Sequence, residues 1–286
     1  MYQTHFGLRE LPFGLTPDTA FAYTSTTHQE ALNTLLVAVR NGEGFIKITG
    51  EVGTGKTLLC RTFLSALDPS FVSAYILNPY LQPRAMLRAI AEELGVTVHP
   101  YDDEHEVTKA LTWTLLHFAA ADKSVVICLD EAQAMPIESL EALRLLTNLE
   151  TEKRRLLQVV LFGQPEVDVK LAHPSVRQLR QRITFEYRLR ALARDELAYY
   201  LAHRLRVAGY RGHDLFEDET VRLMHRTSGG VPRLINIIAH KAMLLAYGEG
   251  VQEVSARHVH GAVTDTPAAR YGLWSWLRVA YGSRAA

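Results

Sequence analysis

Residues 50–57 read GEVGTGKT, set between the apolar, β-branched run FIKIT at 45–49 and a helix-like stretch that begins near Lys56. This order dictates a strand, a glycine loop and a helix in direct succession. Glycines at 50, 53 and 55 let the loop curl so that successive backbone N–H groups converge, and the positive end of the helix dipole adds to the same point. A chain of phosphates is the ligand that suits such a nest. Lys56 is placed to reach the β- and γ-phosphates, and Thr57 to supply a ligand to Mg²⁺. The candidate ATP contacts are therefore Gly50, Glu51, Val52, Gly53, Thr54, Gly55, Lys56, Thr57 and Leu58.

The rest of the first two thirds repeats the strand-then-helix alternation. Apolar runs at 71–77, 125–129, 156–162 and 183–187 join 45–49 as strands, and helical patterns fall at 56–67, 84–94, 105–121 and 138–150. Runs without polar alternation are the mark of strands covered on both faces, so a parallel five-stranded sheet is expected. In the stretch 138–150, Leu140, Leu143, Leu146 and Leu149 form one apolar stripe. After Arg194 only helical patterns remain, four of them, broken by GYRGHD, SGG and YGEG. The expected organisation is an α/β core over 1–190, a small all-helical lid over 191–265 and a tail over 266–286.

Composition narrows the class further. The 286 residues are 48% hydrophobic, enough for a sizeable core, and the 31 basic side chains balance the 31 acidic ones. Zero net charge argues against a polyanion as the obligatory partner. Neutrality here is a cancellation, since 177–211 carries nine arginines against three carboxylates while 130–152 is strongly acidic. Cys60 and Cys128 sit in apolar runs and read as buried reduced thiols, which suits the cytosol. No window reaches the ~20 apolar residues of a membrane span, and the first residues do not form a signal peptide. The twelve histidines show no ligand spacing, and no structural metal is expected.

Downstream motifs sharpen the chemistry. VVICLDEAQ at 125–133 delivers Asp130 and Glu131 to a strand's C-terminal end, where ligands of open α/β sheets bind. Asp130 is placed to hold Mg²⁺ and Glu131 to orient or deprotonate the attacking water. The strand at 156–162 leads into Gly163-Gln164-Pro165, so Gln164 is a candidate contact to the γ-phosphate or that water. Arg177, Arg180 and Arg182 precede the last strand and are candidates for a finger acting on a neighbour's nucleotide. Gly229-Gly230-Val231-Pro232-Arg233 starts a lid helix with Arg233 in its first turn. Asn78 is either a turn residue or a relay towards Glu131, and Phe6, Pro12 and Phe13 either line an adenine pocket or form a hydrophobic clasp.

Together these residues resemble the AAA+ superfamily. The segments FGLRELPFGLTPD at 6–18, LDEAQAMP at 129–136, LRQRITFEYRLR at 179–190 and GVPRLINIIAHKA at 230–242 resemble more narrowly the ExeA/GspA-type ATPases of bacterial envelope machines, and within them those of MSHA-type pili. The resemblance implies a cytoplasmic, Mg²⁺-dependent ATPase that drives assembly of a type IV pilus or secretion complex, peripheral to the inner membrane through partner proteins. It assigns Walker A to Gly50–Thr57, Walker B to Asp130 and Glu131, sensor 1 to Gln164 and sensor 2 to Arg233. The finger falls on Arg182, with Arg180 second, and a finger acting in trans implies an ATP-dependent homo-oligomer. Relatives of this type continue through a membrane span into a cell-wall-binding part. This chain stops at 286, which leaves recruitment to a partner or to the Trp274/Trp276 tail. Two other functions stay open, a DNA-associated AAA+ regulator of the transposition or replication-initiator kind and a nucleotide-gated scaffold with little turnover.

Overall fold

Five parallel strands make up the sheet of the computed structural model, which describes residues 2–16, 18–23, 25–99, 101–149 and 155–269. They are β1 (Phe45–Gly50), β2 (Phe71–Ile76), β3 (Ser124–Leu129), β4 (Leu157–Gly163) and β5 (Ile183–Leu189), in the order β2-β3-β4-β1-β5. Each strand returns to the same sheet edge through a helical connection, as parallel pairing requires.

Side chains along the inner strands alternate between two apolar layers. Phe45, Val125, Ile127, Leu129, Leu157, Val159 and Leu161 face one layer, packed on the helices Pro83–Glu93, Glu104–Ala120 and Ile137–Leu146. Ile46, Ile48, Val126, Cys128, Val160 and Phe162 face the other, against Leu35, Leu59, Cys60 and Phe63 of the helices Thr26–Arg40 and Lys56–Ala66. Both cysteines are buried and free. Continuous burial thus belongs to β1 and β4 and, after Ser124, to β3, whereas the edge strand β5 exposes Thr184, Glu186 and Arg188 alternately. One charge interrupts β1: Lys47, only 6% exposed, is paired with Asp168 and with Glu186 at 3.1 Å. The helix expected over 138–150 ends at Leu146, because Thr147 and Asn148 close it as a turn. Leu149 still packs against the first layer. Glu150, Glu152, Trp274 and Trp276 lie outside the described residues.

The chain divides into two compact units, one of residues 26–52 and 56–189, the other of residues up to Ser25, Gly53–Gly55 and the described residues from Arg190 on. The expectation of a core over 1–190 is therefore corrected at its start. Tyr2, Phe6, Leu8, Phe13 and Phe21 are buried with Leu197, Tyr200, Leu201, Leu205, Ile235 and Ile238 of the helical unit. This is the clasp reading of Phe6, Pro12 and Phe13. Polar contacts hold it. Arg204, 7% exposed, donates to the carbonyls of Pro12 at 2.5 Å and Gly14 at 3.5 Å, with the Phe21 ring centroid 4.9 Å from its guanidinium carbon. The Tyr2 hydroxyl and Nδ1 of His240 share a hydrogen bond at 2.8 Å. Burial pushes the Tyr2 phenol up to about 12 and pulls the His240 imidazole down, so both partners are uncharged at neutral pH. No helix among the described residues is long and apolar enough to cross a membrane.

Four helices build this unit: Arg194–Val207, Asp218–Ser228, Pro232–Gly248 and Ala256–Thr264. Gly229, with φ 61°, closes the second in left-handed conformation, and Pro232 opens the third at a position where its missing N–H costs nothing. Between them Gly230, φ 74°, accepts from the Leu192 N–H at 2.9 Å; a Cβ there would stand 2.2 Å from the Leu192 carbonyl oxygen. Only glycine fits. Gly230→Ala is expected to cost roughly 2–3 kcal/mol of stability, read as a lowered urea midpoint. An unchanged midpoint would show that the Leu192 backbone yields freely.

Candidate nucleotide-binding site

Three neighbouring strands bring their C-terminal ends to one edge of the sheet. β1 ends in the glycine loop, β3 in Asp130 and Glu131, and β4 in Gln164. Gly53 and Gly55 take φ of 83° and 96°, conformations other residues adopt only under strain. Within the loop, Glu51 and Val52 are exposed, Thr54 is buried, and Leu58 lies half-buried in the first helical turn. Glu51 carries a long ion pair to Arg188 at 3.7 Å. Lys56, 6% exposed, donates to the carbonyls of Gly50 at 2.7 Å and Glu51 at 3.0 Å. The lysine folds back over its own loop.

Asp130 is fully buried and is satisfied from three sides. Its Oδ2 accepts from the Thr57 hydroxyl at 2.7 Å and the Tyr75 hydroxyl at 3.3 Å, and its Oδ1 from the Glu131 N–H at 2.9 Å. Burial, with the Asp130 charge beside it, holds the Tyr75 phenol well above its ordinary value, so it stays a donor. Glu131 adopts the left-handed region at φ 52°, uncommon for a residue with a side chain and frequent at functional sites. Its carboxylate accepts from the side-chain amide of Gln133 and, at 3.3 Å, from that of Gln164. Asp130, Thr57, Glu131 and Gln164 are thus brought together. Gln133 and Tyr75 are the members that motif reading passed over. The signal for Gln133 was its place in DEAQ; for Tyr75 there was only a polar tip in an apolar strand.

The remaining candidates make other contacts. In the helical unit, to which Gly53–Gly55 belong, the Arg233 N–H donates to the Gly53 carbonyl at 3.3 Å, and a Cβ on Gly53 would meet the Arg233 Cβ at 2.6 Å. The Arg233 side chain is exposed. Arg182 is half-buried and donates to the Thr147 hydroxyl at 3.4 Å, whereas Arg177 and Arg180, on the short helix Arg177–Arg180, are exposed. Asn78 accepts from the Tyr80 N–H at 3.3 Å, the turn chemistry rather than a relay to Glu131.

A glycine loop on β1, an Asp-Glu pair ending the adjacent β3 and a polar residue ending β4 define a P-loop ATPase of the AAA+ class. Residues 39–171 match the family of AAA domains. The chain is similar to the ExeA/GspA-type ATPases: it is 42% identical over 267 residues to general secretion pathway protein A of Aeromonas hydrophila, across 92% of this chain and 47% of that protein. It therefore spans about half the length of this relative. In fold it is similar to Cdc6p from Pyrobaculum aerophilum, with TM-score 0.66 and 18% identity over 86% of this chain and 70% of that one. It is also similar to the Aeropyrum pernix ORC1 protein, a structure in complex with DNA, with TM-score 0.62 and 21% identity over 89% and 69% of the two chains.

The donor set suits a nucleotide and its cation. An ammonium that can swing off two carbonyls, a hydroxyl and a buried carboxylate are the groups that phosphate oxygens and Mg²⁺ require. Burial is the largest influence on Lys56 and pulls its ammonium below the ordinary value, while Glu131, Asp130, Glu51 and Glu166 oppose it. The unfolded chain then binds this proton more tightly than the fold. The penalty is full below the folded pKa and is relieved as pH rises towards the ordinary lysine value. Lys56→Met should raise the urea midpoint of the nucleotide-free protein at neutral pH while abolishing ATP binding. A lowered midpoint would show that the bonds to Gly50 and Glu51 outweigh the burial cost.

Proposed function

We propose that this chain binds ATP with Mg²⁺ and hydrolyses it to power assembly of a secretion complex or, more specifically, an MSHA-type type IV pilus at the cytoplasmic face of the inner membrane. The observation that carries the enzymatic part is the arrangement at the ends of β3 and β4. Asp130 and Thr57 form one bonded pair, and Glu131 stands beside it at the end of β3, its carboxylate within reach of Gln164. Lys56 and the N–H groups of the loop would bind the phosphates, and Thr57 and Asp130 would hold Mg²⁺, which would supply neutralisation of the phosphate charge. Glu131 takes a proton from the attacking water, whose oxygen bonds to the γ-phosphorus as the bond to the β–γ bridging oxygen breaks. Gln164 orients that water, and Arg233 contacts the γ-phosphate.

An arginine of a second copy completes the site. Arg180, exposed, is free to reach outwards, while Arg182 first has to leave Thr147. This geometry favours Arg180 over Arg182 as the finger, in an ATP-dependent homo-oligomer. The link to a secretion complex is supported by the Aeromonas hydrophila relative, and the pilus reading rests on the sequence resemblance. A DNA-associated role has less support than the charge count suggested. Among the nine arginines of 177–211, Arg204 is buried, Arg182 bonds Thr147, Arg188 pairs with Glu51, and Arg194 pairs with Asp218 at 3.4 Å.

Glu131→Gln is expected to keep ATP affinity and lose turnover by roughly a hundredfold or more, in a steady-state phosphate-release assay beside equilibrium nucleotide binding. Near-normal turnover would remove Glu131 from the chemistry. Light scattering of the same variant with ATP and Mg²⁺ should show an oligomer, and Arg180→Ala in the wild-type background should slow turnover without dispersing the oligomer; a strict monomer at high concentration would contradict action in trans.

A further inference from the structure

The Gln133 amide touches both Glu131 and the end of β4, a connection the hydrolytic reading above does not require. The Gln164 backbone N–H donates to Gln133 Oε1 at 2.9 Å. Since a backbone N–H can only donate, that bond sets which end of the amide is oxygen, and the Nε2 donor is left facing the Glu131 carboxylate, to which it bonds. The Gln164 side-chain amide reaches the same Glu131 oxygen, Oε2, at 3.3 Å. Space for the amide comes from Gly163 at the end of β4, where a Cβ would stand 3.2 Å from Gln133 Oε1. Glu131 meanwhile stays in its left-handed conformation, with its N–H bonded to Asp130 Oδ1.

We infer that Gln133 is a positioning residue for the reaction: its amide bridges β4 to Glu131, fixing Oε2 and leaving Oε1 as the face presented to water. This rests on the proposed ATP hydrolysis, with Glu131 as the base. A displacement at the end of β4, where Gln164 sits, reaches the Glu131 carboxylate through a single side chain. Gln133 acts through Glu131.

Two substitutions and one spectroscopic measurement test it. Gln133→Leu should lower kcat by roughly tenfold to a hundredfold, the scale on which misplacing a reacting group acts, with KM for ATP and the urea midpoint unchanged. Gln133→Glu keeps an oxygen for the Gln164 N–H but replaces the donor with a second carboxylate. Its deficit relative to wild type should be as large near neutral pH and should narrow as pH falls, because a protonated side chain donates again. Wild-type kcat in Gln133→Leu, faster turnover, a loss confined to KM or a deficit in Gln133→Glu that does not change with pH would overturn the assignment. The contact itself is read without turnover: in ¹⁵N-labelled protein the Gln133 side-chain amide resonances should move on Glu131→Ala. Fixed resonances overturn the bridge, and a wild type inactive on ATP with moving resonances overturns the hydrolytic reading instead.

Discussion

Asp130 is a carboxylate with no exposure at all, and the site is organised around making that burial tolerable. An ionised group removed from water costs several kcal/mol unless its oxygens are paired. Here Thr57, Tyr75 and the Glu131 N–H each donate to it, so the helix after the glycine loop, the edge strand β2 and the turn after β3 are bound to one atom pair. The position follows from the sheet. Inner strands buried on both faces can carry polar groups only where they end, and β1, β3 and β4 are adjacent. Their C-terminal ends are where Thr57, Asp130 and Gln164 have to meet.

A second constraint is the buried ammonium of Lys56. In the proposed reading, phosphate oxygens would offer this ammonium stronger, charge-assisted bonds in exchange for those to Gly50 and Glu51. The site is then preorganised for charge that the ligand brings. The helical unit has a comparable tight point, where Gly230 lies against Leu192 and Gly53 against Arg233, each a contact that a single Cβ would break.

Much of this was legible in the sequence for physical reasons. Strands β1, β3 and β4 are largely apolar runs flanked by glycine or charge, and such runs have few other ways to fold. The glycine loop and the Asp-Glu pair are local signatures, so Gly50–Thr57, Asp130 and Glu131 could be placed on their elements directly. What escaped depends on distant contacts. Periodicity along residues 1–25 shows that Phe6 and Phe13 are to be buried, and says nothing of the body that buries them. Leu149 kept the helical spacing although Thr147 and Asn148 had already ended the helix. Counting arginines could not reveal that Arg204 is an interior residue. Gln133 and Tyr75 act through Gln164 and Asp130, partners far away in sequence, and no local pattern marks such bonds.

In the proposed function, Thr57 and Asp130 make the edge of the sheet a site for ATP together with Mg²⁺. Its most direct test is calorimetric titration of a non-hydrolysable ATP analogue with and without Mg²⁺, on the wild-type chain and on Thr57→Val. The account predicts that Mg²⁺ tightens binding to the wild type and that Thr57→Val loses that increment while keeping the Mg²⁺-free affinity. Binding that ignores Mg²⁺ in the wild type, or an increment that survives in Thr57→Val, would contradict it.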